Sequence, residues 1–131
     1  MNTSQRNQFD TILEDVLSEM PPLVHELIEK VPLHVEDYPS DQVLAKTGIR
    51  NRRQLCGLYT GIPLTERSVM QSGVLPDVVT IYREGVLSAA AGPDGHVSIS
   101  ELRRQIRITI LHELAHHHGL DEDELRRLGY G

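Results

Sequence analysis

The spacing of apolar residues divides the chain into segments of different period. Phe9, Ile12, Leu13, Val16, Leu17 and Met20 recur at helical spacing with acidic residues between them, which predicts an amphipathic helix over 6–20. Pro21-Pro22 stops it, and Leu23, Val24, Leu27 and Ile28 predict a second, short helix entered through the prolines. Val31, Leu33 and Val35 then alternate with other residues, the period-2 signature of a strand over 31–37. Tyr38-Pro39-Ser40-Asp41 reads as a turn. Ser40 or Asp41 can cap a short helix over 41–47, and Gly48 is placed to end it.

Gln54 to Thr60 reads as a strand closed by Gly61-Ile62-Pro63. Residues 64–76 are mixed and polar and contain Gly73 and Pro76, so a loop is expected there. Asp77 to Ala89 carries Val78, Val79, Ile81, Tyr82 and Val86, which predicts the strongest strand of the chain, bent at Gly85. A loop follows over 91–95. Ser98 with Glu101 fits a capping box, and a long helix follows to His118, with Gly119 placed to end it. Asp121 with Glu124 repeats the capping pattern and opens a short helix through Leu125 and Leu128. No repeat, low-complexity tract or linker interrupts this order, so the expectation is one α+β domain over 1–131.

Composition narrows the functional classes. An apolar share of 39% and a charged share of 24% suit a folded chain with one core. The net charge of −6 argues against nucleic acid as a partner. Two local arginine groups, Arg50, Arg52, Arg53 and Arg103, Arg104, Arg107, are the exceptions. The second spreads around several sides of one helix and reads as a solvated face. Cys56 is the one cysteine, so there is no disulfide framework within the chain, and it reads as a small core residue. The polar N-terminus has no apolar signal region, and no stretch is long enough to span a membrane. A cytoplasmic protein is therefore expected.

Candidate chemistry lies near the C-terminus, where four of the seven histidines fall within 112–118. His112 and His116 are four apart on a predicted helix, so both rings leave the same face and can each give a nitrogen to one tetrahedral Zn²⁺. Glu113 is turned about 100° around the helix from His112. That offset suits a carboxylate that reaches a metal-activated water rather than the metal, as in the H-E-x-x-H pattern of two ligands and a general base. Shuffled chains of this composition contain the bare pattern in ~3% of cases, so context must carry the assignment. Here the motif lies in an independently capped helix and follows apolar Ile108, Ile110 and Leu111. Gly119 stands where a turn redirects the chain toward a metal. Otherwise the tract reads as a pair of surface or core histidines.

A catalytic zinc site takes a third protein ligand. No histidine follows His118, and the later acids are Asp121, Glu122, Asp123 and Glu124. His117 and His118 leave the helix in other directions than His112 and His116. Asp121 suits a cap with Glu124 as its reciprocal partner, which leaves Glu122 as the favoured third ligand, with Asp121 and Asp123 behind it. The same acidic run also reads as a helix first turn favoured by the macrodipole.

The stretch from Ile110 to Leu125, ILHELAHHHGLDEDEL, resembles the small bacterial zincin-like metallopeptidases, or minimal zincins, with the pattern HExxHxxGxx[DE]. Gly57 to Arg67 and Val74 to Arg83 look like upstream segments of the same family. The resemblance implies a compact α+β zincin-like fold. N-terminal helices pack on a small mixed sheet, the active-site helix spans 98–118, and a short C-terminal helix follows. It also implies a strand near 78–84 bordering the cleft as the edge that pairs with an extended peptide substrate. Two departures stand out. The family often has Asp where this chain has Glu122, and neither a histidine at 122 nor a Met-turn marks it as a metzincin.

The function expected is zinc-dependent hydrolysis of peptide bonds, with His112, His116 and Glu122 as ligands and Glu113 as general base. Tyr59, Tyr82, Arg83 and His96 are candidate donors to the oxyanion, and each also reads as an ordinary strand or loop residue. The alternative is a non-catalytic zinc-binding domain that takes a peptide or protein partner by edge-strand addition. Neither reading calls for nucleic acid or a membrane.

Overall fold

A computed structural model describes residues 1–61, 77–118, 123 and 127, with 116–118 described by backbone alone. Helix α1 (Thr3–Ser18) begins earlier than its apolar spacing predicts because Asn2 starts it. The Asn2 side chain accepts from the Gln5 N–H at 2.8 Å, and the Gln5 side chain accepts from the Asn2 N–H at 2.9 Å. This capping box satisfies two otherwise orphan donors. Phe9, Ile12, Leu13 and Val16 form the buried face of α1. Helix α2 (Pro22–Lys30) has proline in its first turn, as expected, and buries Val24 and Leu27.

Strand β1 (Leu33–Glu36) and helix α3 (Asp41–Thr47) also lie where the pattern put them. Ser40, not Asp41, is the cap of α3: its hydroxyl accepts from the Val43 N–H at 3.2 Å. Gly48, at φ 73°, takes the left-handed position that ends the helix. Strand β2 (Gly57–Thr60) is shorter than the expected 54–60, because Arg52–Gln54 form a single 3-10 turn capped by Asn51.

The expected long strand over 77–89 is instead a strand and a helix. β3 covers Val78–Tyr82 and α4 covers Arg83–Ala90. Gly85 does not bend a strand. It lets α4 press on the chain before β2, where a Cβ on Gly85 would lie within 2.0 Å of the Leu55 carbonyl oxygen. β-branched residues stop at Ile81 apart from Val86, and the Ala89-Ala90 end favours helix. The turn into α4 is fixed by Arg83, whose guanidinium is bonded to Asp10 of α1 and to Asp37 after β1.

The sheet order is β1-β3-β2, with β1 parallel and β2 antiparallel to β3. The strand over 78–82 is therefore central, which corrects the expectation of an edge strand there. Among the described residues the edges are β1 and β2. Leu33, Val35, Gly57, Tyr59, Val79 and Ile81 share one face by register. Val79 and Ile81 join the core with α1, α2 and the long helix α5 (Ile99–His118). The Ser98 hydroxyl accepts from the Glu101 N–H at 3.2 Å, as the capping pattern predicts. Leu102, Ile106, Ile110, Leu111, Leu114 and Ala115 bury one side of α5. The result is an α+β fold, as expected, with helices around a small mixed sheet.

The expected loop over 64–76, the Gly119 terminator and the Asp121/Glu124 capping pattern lie outside the described residues. So do Leu125 and Leu128 of the short C-terminal helix. Asp123 and Arg127 are described in that region, and both have helical backbone.

Candidate metal centre

Helix α5 carries the H-E-x-x-H run in its last turns. The core stripe through Ile106, Ile110 and Leu114 fixes its rotation. With about 100° per residue, positions 112 and 116 lie about 40° apart around the axis, on the side away from Ile110. Burial agrees: Ile110, Leu111, Leu114 and Ala115 are buried, while His112 is exposed and Glu113 half-buried. Only the apolar side of this turn is therefore buried, and His112 is not part of it. The side chains of His116, His117 and His118 lie outside the description, as do Asp121 and Glu122. Among the described residues no group of three or more His, Cys, Asp or Glu is arranged to hold a metal.

Glu113 faces β2. A Cβ built on Gly57 would stand 3.2 Å from Glu113 Cγ, 2.9 Å from Thr109 Cγ2 and 3.1 Å from the Thr80 carbonyl oxygen. Gln105, Thr109 and Glu113 are spaced four apart and form a polar stripe beside the core stripe. The Thr109 hydroxyl donates to the Gln105 carbonyl at 2.8 Å and accepts from the Gln105 amide at 3.3 Å. Cys56 sits at the end of this stripe, half-buried, and its thiol donates to the Gly85 carbonyl at 3.4 Å. Burial pushes the Cys56 thiol pKa up, the Thr109 hydrogen bond opposes this, and the Glu113 charge adds to it. The thiol is thus protonated and packed, in keeping with a core role.

The four candidate oxyanion donors separate by position. Tyr82 is buried, and burial above all raises its pKa, with the charges of Glu36 and Glu113 adding to it. Tyr59 is half-buried on β2, opposite Val79. Arg83 is bonded to Asp10 and Asp37. His96 is exposed in the loop before α5, at the other end of that helix from His112. Of the arginine groups, Arg52 pairs with Glu84 at 2.9 Å and lies over the Tyr38 ring. Arg103 pairs with Glu19 at 2.6 Å.

Sequence reasoning missed Gly57 and Thr109. A glycine inside a short strand is the available signal, since it marks a place where another element comes close.

The model of the zincin-like metallopeptidase family matches residues 28–131, so this chain belongs to that family. The match takes in β1 through α5 and the whole H-E-x-x-H run. No curated protein matches the chain. No helix among the described residues is long and apolar enough to cross a membrane.

Proposed function

We propose that this protein is a zinc-dependent peptidase whose centre is built from His112, His116 and Glu122, with Glu113 as general base. One observation carries the reading. Glu113 lies with its stem against Gly57 of the edge strand β2, while its neighbour His112 is exposed on the adjoining face of α5. A glutamate packed on the strand where a peptide would add, one residue from an exposed imidazole, suits water attack on an extended peptide.

The donors suit the metal in kind: two imidazole nitrogens four residues apart on one helix and a carboxylate from the acidic run after it. Zn²⁺ held by these residues would supply Lewis acidity for the attacking water and the scissile carbonyl. Glu113 takes the proton of the attacking water and passes it to the leaving amine. The substrate strand adds to β2, which is an edge among the described residues and packs against Glu113, since β3 has neighbours on both sides. Tyr59, which shares with Gly57 the face of the sheet toward α5, and Tyr82 remain the candidates for a further donor, since Arg83 is bonded to Asp10 and Asp37 and His96 lies at the other end of α5. The substrate is a peptide or protein, and the protein works in the cytoplasm.

The test is cleavage of a peptide library by the zinc-loaded protein, with Glu113→Gln as control. The variant should keep zinc and lose cleavage by roughly a hundredfold or more. Full cleavage by Glu113→Gln overturns the mechanism. Zinc binding with no cleavage by the wild type overturns the enzyme and leaves the peptide-binding domain.

A further inference from the structure

We infer that Gly57 is a positioning residue: by lacking a side chain it seats the stem of Glu113 between α5 and the face of β2. The inference rests on the peptidase reading above for its catalytic meaning, and on packing for its geometry.

A methyl at position 57 would meet three atoms at once. Thr109 Cγ2, at 2.9 Å, is closer than real Cβ atoms come to a neighbour, and the Thr80 carbonyl oxygen at 3.1 Å is backbone. Thr109 cannot easily turn away. It is β-branched, in a helix and 5% exposed, and its hydroxyl is bonded to the Gln105 carbonyl. The Thr80 carbonyl belongs to the central strand. The third atom, Glu113 Cγ at 3.2 Å, belongs to a half-buried, unbranched side chain, whose stem shifts at less cost than a β-branched residue or a backbone carbonyl. Glu113 is therefore the group that yields. Two fixed walls and one movable stem mean that the size of residue 57 sets where the carboxylate stands.

The seat also explains a sequence feature that the fold alone leaves open. Glycine weakens a strand, and β2 is only four residues long, yet it begins with one. The left-handed backbone region is not the reason, since Gly57 is absent from the positive-φ glycines. Close approach of α5 is.

The experiment compares wild type, Gly57→Ala, Thr109→Ser and the double variant in three measurements. The first is kcat and KM for one fluorogenic peptide that the wild type cleaves. The second is affinity for Co²⁺, read from its visible spectrum. The third is the NMR cross-peak between the Gly57 α-protons and the Glu113 γ-protons. We expect Gly57→Ala to lower kcat roughly ten- to hundredfold, the scale of a displaced catalytic group. KM and Co²⁺ affinity should stay within about threefold, because substrate binding and the imidazoles do not depend on the stem. Thr109→Ser removes the Cγ2 wall, so the double variant should regain most of the lost kcat.

An unchanged kcat in folded Gly57→Ala overturns the inference. So does a parallel loss of kcat and Co²⁺ affinity, which is the mark of general damage. The cross-peak separates this inference from the reading beneath it. A wild type with the cross-peak and no turnover sinks the peptidase and leaves the seat. A wild type with turnover and no cross-peak sinks the seat and leaves the peptidase.

Discussion

Arg83 Nη1 stands 2.9 Å from Asp37 Oδ1, and the same guanidinium reaches Asp10 Oδ2 at 2.9 Å through Nη2. Asp37 is also held by Arg6 at 2.7 Å. Four side chains thus tie α1, the end of β1 and the start of α4. The Arg83 side chain is 12% exposed and that of Asp37 19%, so this bridge is screened less than a surface pair. It fixes the β3–α4 corner, and it commits Arg83 to structure rather than to the oxyanion.

A pH dependence follows from Asp37. The Arg6 hydrogen bond, and then that of Arg83, hold its carboxyl pKa below the usual value, against the opposing effect of burial. A depressed folded-state pKa gives stability that is present above the unfolded value, about 3.9, and is lost as pH falls through the folded one. Thermal unfolding should therefore drop in Tm from about pH 4 downward. Asp37→Asn should cost about 1–3 kcal/mol at pH 7 and flatten that acid limb. An acid limb of equal steepness in Asp37→Asn would show that other carboxylates govern it.

Gly85→Ala tests the strand-to-helix correction. The added methyl would fall within 2.0 Å of the Leu55 carbonyl oxygen and 3.0 Å of Cys56 Cα, both backbone. Neither can rotate aside, so α4 or the chain before β2 must move. Urea denaturation should show a loss of about 3 kcal/mol or more, beyond the gain that alanine brings to an exposed helix site. A neutral or stabilised Gly85→Ala would mean that α4 does not press on that chain.

These two sites mark how far the sequence could be read. The N-terminal helices, β1, α3 and α5 were legible because each has a local signal: helical spacing in 9–20, Pro22, the Ser40 cap, Gly48, and Ser98 with Glu101. The β3–α4 corner was not. Val78 to Tyr82 and Val86 carry strand propensity, and the helix is imposed by ion pairs to Asp10 and Asp37, which lie 73 and 46 residues away. Sheet order escaped for the same reason, since nothing local tells a central strand from an edge one. The candidate pair His112 and His116, with Glu113, stands out in the sequence by its spacing within a capped helix. The setting of Glu113 against Gly57 does not, because it depends on how α5 rolls onto β2.

Zinc should stabilise the folded chain by mass action. At free metal about a hundredfold above Kd the gain is about 2.7 kcal/mol, visible as a rise in Tm. His112→Ala should abolish the rise, because it removes one of two paired imidazoles. Glu113→Gln should keep it, since that carboxylate is assigned to water and not to metal. His25, on α2, is a suitable control: His25→Ala should leave the zinc-dependent rise intact. Equal rises in wild type and His112→Ala would move the metal away from this helix.

The third ligand is tested by three neighbours in one series. Asp121→Asn keeps an equally good capping residue where the sequence pattern expects a cap, so it should change zinc affinity little. Asp123 is exposed on helical backbone, and Asp123→Asn should change zinc affinity little. Glu122→Gln should lower it by more than about a hundredfold, beyond the ~10–100-fold that loss of an outer partner costs. Chelator competition measures all three on one scale. Glu122→Asp adds a finer point, since aspartate also fits the pattern HExxHxxGxx[DE] and is shorter by one methylene. If the turn after His118 brings this position close to the metal, the aspartate variant should stay within about tenfold of wild type. If the longer reach of glutamate is needed, it should fall nearly as far as Glu122→Gln. A Glu122→Gln protein that holds zinc at full strength, beside an Asp121→Asn or Asp123→Asn protein that does not, would reassign the ligand to that aspartate.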